Sequence, residues 1–125
     1  PGHGSTVAQA CVASLDTLCL NDGRFAVSVG WQTLQGGRGQ GRAVQLTPDT
    51  GYFWFFNADN VEMVVKVLRA CSVNQHFWVF AGGLTNVQAE MTVVDTVSGE
   101  TSTYVNPQET PFAPIQDIEA FATCP

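Results

Sequence analysis

The stretch Arg24-Phe25-Ala26-Val27-Ser28-Val29-Gly30-Trp31-Gln32 decides the fold. Phe25, Val27, Val29 and Trp31 alternate with Ala26, Ser28, Gly30 and Gln32. A period of two places the two sets on opposite faces of an extended chain, so this is a strand with one face in a core. Downstream, Gly36-Gly37-Arg38-Gly39-Gln40-Gly41 reads as a loop and residues 43–46 as the return strand. Pro48-Asp49-Thr50-Gly51 is a turn, because proline pre-sets the backbone angle of a central turn position. Tyr52-Phe53-Trp54-Phe55-Phe56 is aromatic on both faces, which predicts a central strand covered on both sides.

Asn57-Ala58-Asp59-Asn60 turns the chain again. Residues 61–68 are long enough for a helix. Val61, Met63, Val65 and Val67 nevertheless alternate with Glu62, Val64, Lys66 and Leu68, and β-branched residues dominate, which favours a strand. Phe77-Trp78-Val79-Phe80 is a further strand, ended by Gly82-Gly83, with Trp78 and Trp31 assigned to the core. Residues 87–97 and 100–105 form a hairpin around Ser98-Gly99, and Asn106-Pro107 ends it. After the prolines, the last stretch is assigned one short helical turn before Cys124. Short strands with a turn every 8–12 residues predict an all-β fold, an antiparallel β-sandwich of about seven strands.

Length and composition agree. The chain has 125 residues and 13.4 kDa, with 45 % hydrophobic residues, which suits one globular core. No apolar run approaches the roughly 20 residues of a membrane helix. Eleven acidic against five basic residues give a net charge of −6. Such a chain is a poor partner for nucleic acid or an anionic membrane. The organisation expected is an N-terminal arm over residues 1–17 and a single sandwich domain over 18–125. The start at Pro1-Gly2-His3-Gly4 is read as a mature, processed form.

The cysteines are Cys11, Cys19, Cys71 and Cys124. An even count without a C-x2-C pair points to disulfides rather than zinc. Three pairings are possible. Cys11–Cys19 with Cys71–Cys124 is favoured, since the first closes a short loop ahead of the first strong strand and the second pins the tail. In the chain-entropy model these bonds are worth about 2.5 and about 4 kcal/mol. Disulfides place the protein in an oxidising compartment, hence extracellular.

Candidate chemistry is sparse. His3 and His76 are the only histidines, and no G-x-S-x-G elbow occurs, so no catalytic residue is assigned. Gly36 and Gly41 have phosphate-loop separation, but Arg42-Ala43 replaces the required Lys-Ser/Thr, and a strand rather than a helix follows. Arg38 and Arg42 are two of only five cations, and they mark this loop as a candidate partner contact. Asp49, Asn57, Asp59 and Glu62 flank the aromatic strand. Their oxygens make Ca²⁺ the one ion to consider, although Asp and Asn are also ordinary turn residues. No other cofactor is expected. Tyr52, Trp54 and Phe56 share a face, and with Trp78 they would stack on sugars if exposed, while the core assignment competes.

The low charge, 13 %, with 12 Thr, 9 Gln and a single lysine, leaves few of the charges that discourage association. Residues 7–15 are small and apolar. Val7, Ala8, Ala10 and Val12 are the candidate assembly arm, able to add to a neighbour's sheet edge. A head-to-tail contact of that kind does not close and makes a filament.

Several motifs carry a resemblance. They are Leu18-Cys19-Leu20-Asn21-Asp22-Gly23-Arg24-Phe25, the run from Leu46 to Leu68 around Asp49-Thr50-Gly51-Tyr52-Phe53-Trp54-Phe55-Phe56, and Phe77-Trp78-Val79-Phe80-Ala81-Gly82-Gly83-Leu84-Thr85-Asn86-Val87. Asp95-Thr96 to Asn106-Pro107 and the closing Phe121-Ala122-Thr123-Cys124-Pro125 complete them. Over residues 11–125 the chain resembles a recurrent β-rich domain of secreted bacterial proteins, often placed at the C-terminus of extracellular proteases and surface proteins. The resemblance implies export and a non-catalytic accessory role, and it transfers no active site. The expectation is a structural module that self-associates or mediates adhesion. The alternatives are a carbohydrate-binding module and an accessory or inhibitory domain for a secreted protease.

Overall fold

The computed structural model describes residues 10–125. Two antiparallel sheets pack face to face, and both disulfides of the favoured pairing are present, Cys11–Cys19 and Cys71–Cys124. The all-β sandwich expected from the period of two is the fold. Among the described residues it has ten strands rather than about seven, because residues 18–20, 38–40 and 115–121 also pair as strands.

In chain order the elements are β1 (Leu18–Leu20), β2 (Phe25–Gln32), β3 (Arg38–Gln40), β4 (Arg42–Thr47), β5 (Thr50–Trp54) and β6 (Val61–Ala70). A single helical turn, α1 (Cys71–Asn74), precedes β7 (His76–Gly83), β8 (Gln88–Asp95), β9 (Thr101–Asn106) and β10 (Ile115–Phe121). Sheet I runs β1-β2-β8-β9, with β3 also paired to β2, and sheet II runs β10-β7-β6-β5-β4. The inward residues are those of the alternating sets. Phe25, Val27, Val29, Met91 and Val93 from sheet I meet Phe53, Met63, Val65, Val67, Phe77 and Val79 from sheet II, all essentially without solvent contact.

Three expectations are corrected. The glycine segment is not one loop. Thr33 and Gly37 close a tight turn, β3 pairs back onto β2, and Gly41 carries the chain across to sheet II. Glycine is required at position 39, since any side chain would run into the Trp31 ring above it. The aromatic strand β5 is covered on one side only. A two-layer sandwich has no third layer, so Phe53 is buried while Tyr52 and Trp54 are half-buried on the outside. The C-terminal stretch is β10, an edge strand on β7, and not a helical turn.

The ends are tied to the body by specific bonds. Cys11 N–H donates to the Gly23 carbonyl, and Ala43 N–H donates to the Leu15 carbonyl, both at 2.8 Å. Residues 11–17 therefore lie on their own domain, and of the expected arm, residues 1–9 fall outside the described residues. At the other end Arg24 donates to both oxygens of Asp95 (3.1 and 3.0 Å) and to the Thr123 carbonyl (2.8 Å). Thr123 Oγ1 donates to Asp95 at 2.6 Å, beside the Cys71–Cys124 bridge. Burial alone would raise the Asp95 carboxyl. The hydrogen bonds from Arg24, Thr123 and the Val97 N–H, with the Arg24 charge, outweigh it and hold the group at about 2.

Candidate functional site

The most distinctive surface is the outer face of sheet II. Strand parity decides what it displays. Phe53, Met63, Val65, Phe77 and Val79 point inward, so their neighbours point out. Cross-strand pairs then set Val44 beside Tyr52 and Tyr52 beside Val64, Arg42 beside Trp54, Lys66 beside Phe80, and Leu68 beside Trp78. The result is a largely aliphatic and aromatic sheet face, interrupted by Arg42 and Lys66, with its rings half-buried and Val64 39 % exposed. A shallow depression of about 320 Å³ lies on it, between Val64, Lys66, Phe80 and Gln116.

The rings here are organised against each other. Trp78 and Phe80 stack with centroids 5.8 Å apart and planes at 21°, and the Lys66 ammonium sits 5.9 Å from the Phe80 ring centre. Trp78 Nε1–H donates to Asn74 Oδ1 (2.9 Å), and Asn74 in turn donates to the Ile118 carbonyl (2.9 Å). This holds α1, β7 and β10 in one unit. Trp78 and Phe80, being stacked, cover one face of each other. Stacking on a sugar ring needs a free flat face, whereas another protein surface packs against edges as well.

The assignment of Trp78 to the core is therefore corrected, because Phe77 and Val79 take the inward parity. Trp31 does keep the inward parity, at the open end of the sandwich, half-buried. It stacks on Phe55 (6.3 Å) and meets the edge of Phe56 (4.7 Å), which is 52 % exposed. Its Nε1 is buried and has no partner among the described residues.

The other candidates separate. Arg38 lies in β3 and points out from sheet I, while Arg42 begins β4 and points out from sheet II. They do not form one partner loop, because the chain changes sheet between them. Asp49 sits in the β4–β5 turn, Asn57 and Asp59 lie beyond the other end of β5, and Glu62 lies in β6 opposite that end, roughly 17 Å of strand from Asp49. The expected oxygen cluster is thus split by the strand it was thought to flank. No group of three or more His, Cys, Asp or Glu placed to hold a metal occurs among the described residues. Asn57 accepts from the Asp59 N–H at 2.8 Å, an ordinary turn bond. Glu62 is buried, and burial raises its carboxyl, partly offset by a hydrogen bond from Thr85. His76 Nδ1–H donates to the Asn74 carbonyl at 2.7 Å. Of the assembly arm, Val7 and Ala8 lie outside the described residues, while Ala10 and Val12 are exposed.

No helix among the described residues is long and apolar enough to cross a membrane. No family model matches the chain, and no curated protein or solved structure is significantly similar to it.

Proposed function

We propose that this chain is a non-enzymatic, extracellular structural module that assembles with copies of itself through the outer face of sheet II. The observation that carries this reading is the largely apolar outer face formed by Tyr52, Trp54, Val64, Leu68, Trp78 and Phe80. An apolar patch on a sheet exterior supports its reading as a contact surface. Charge argues for which surface of the second copy it meets. The chain is strongly acidic overall, yet the outward positions paired across β4 to β7 carry Arg42 and Lys66 and no carboxylate. Two such faces repel. One such face against an acidic, non-equivalent region of the next copy attracts. A contact between non-equivalent surfaces continues from copy to copy unless its rotation closes a ring, so a filament is the expected product. The two disulfides support an oxidising, extracellular setting.

Light scattering coupled to size exclusion, with negative-stain electron microscopy, tests this on untagged protein. Large species with a regular axial repeat are expected, and Val64→Glu should dissolve them while leaving the monomer folded. Deleting residues 1–10 separates the contribution of the arm. A 13.4 kDa monomer at every concentration would overturn the proposal.

A further inference from the structure

Sheet I carries a different kind of site on its own outer face. Gly30 lies in the middle of β2, between two hydrogen-bonded neighbours, and its outward position is empty of side chain. Glycine weakens a strand interior, so it calls for a reason. The usual reasons do not hold here. The β2–β8 register runs through eight consecutive pairs without a bulge, and the three β2–β3 pairs are also continuous. Gly30 is absent from the positive-φ residues, and a Cβ built on it would meet only Gln40 Nε2, at an ordinary 3.6 Å. Neither backbone conformation nor packing demands glycine, which leaves the close approach of a ligand.

The surroundings give that ligand a chemistry. Gln40 on β3 and Glu90 on β8 flank Gly30 in register, and one step along the strand Arg38 and Gln88 flank Gln32. Strand spacing puts Gln40 and Glu90 about 10 Å apart across the glycine. The slot between them opens into a cavity of about 420 Å³ bordered by Val105. Among the described residues none of these five polar side chains donates to or accepts from another protein group, and Arg38 and Glu90 form no ion pair. Three carboxamides, one carboxylate and one guanidinium thus converge on a slot whose charges cancel. Carboxamides and carboxylates bind adjacent hydroxyls through paired donors and acceptors.

We infer that this slot is a binding site for a neutral sugar residue of a polysaccharide, with Gly30 as its floor and Gln40 and Glu90 as its walls. It is separate from the aromatic face of sheet II, which lies on the other side of the sandwich.

The test titrates isotopically labelled protein with neutral malto-, cello-, manno- and laminari-oligosaccharides, following backbone amide shifts. Saturable shifts centred on Gly30, Gln40 and Glu90 are expected for at least one of them. Gly30→Val fills the slot with a residue that strands favour. It should abolish the shifts while leaving the melting temperature unchanged or higher. Glu90→Ala, which removes a charge-assisted hydrogen bond, should weaken binding at least tenfold. No shift with any oligosaccharide at ~10 mM would overturn the inference, as that excludes even millimolar affinity. Shifts centred on Tyr52, Trp54 and Trp78, or shifts that survive Gly30→Val, would overturn it too.

Discussion

The two sheets are alike inside and unlike outside. Both contribute Phe, Val and Met to a shared core. Outward, sheet I shows Ser28, Gly30, Gln32, Gln88, Glu90 and Thr92, and sheet II shows Tyr52, Trp54, Val64, Leu68, Trp78 and Phe80. Folding needs only one apolar face from each sheet, and sheet I meets that need with a mostly polar exterior on which Val105 is exposed. The apolar exterior of sheet II is therefore surplus to the fold. On the proposed reading, contact with a second copy covers this surplus on sheet II and leaves sheet I free for a soluble ligand.

The sharpest break in this comparison runs between adjacent residues of one strand. Phe53→Ala empties an inward position and should cost about 3–5 kcal/mol in urea unfolding. Tyr52→Thr, one residue along and outward, should change monomer stability by less than about 1 kcal/mol while weakening assembly. If the two cost the same, the outer face is part of the fold and not surplus to it.

The disulfides distinguish the sheets next. Paired serine replacement at Cys71 and Cys124 releases the tail beside β10, the edge strand of sheet II. It should cost about 4 kcal/mol, against about 2.5 for Cys11 and Cys19 at the β1 edge of sheet I. Comparison of the two melting curves reads the difference.

A third effect is specific to sheet I. Asp95 ends β8 and is held at about 2 rather than 3.8. Its folded value lies below its unfolded one, so its stabilisation is complete above about pH 4 and fades as the pH falls toward 2. The size is about 2 kcal/mol. Asp95→Asn should remove that part of the acid limb, and an unchanged acid limb in the variant would show that Arg24 does not hold the group. The smallest expected change in stability is at the outer faces themselves. Val64→Glu on sheet II and Thr92→Glu on sheet I should each alter the monomer by about 0.5 kcal/mol or less. Only the first should affect sedimentation of the assembled protein.

Much of this was legible in residue order. The inward sets of β2 and β6 and the Ser98-Gly99 hairpin follow from periodicity and turn chemistry, and the disulfide pairing is the one favoured among three possible. Other parts were not. The run Tyr52 to Phe56 carries the same chemistry on both faces, so its pattern cannot say whether a second layer covers it. Trp78 alternates with Phe77 in a run where every residue is apolar, and parity becomes readable only once Phe77 is seen against Phe25. Arg38 and Arg42 are four residues apart, yet the crossing at Gly41 puts them on opposite exteriors. Asp49 and Asp59 are close in sequence but sit at opposite ends of a rigid strand.

By itself the sequence determined the class of fold, the strand-forming segments and the chemistry of the core, because hydrophobic period and turn residues are local properties. Tertiary structure alone decided which apolar face is surplus, which polar side chains share a slot, and which charges stand apart. Those depend on the register of strands distant in the chain and on the number of layers, neither of which any single segment records.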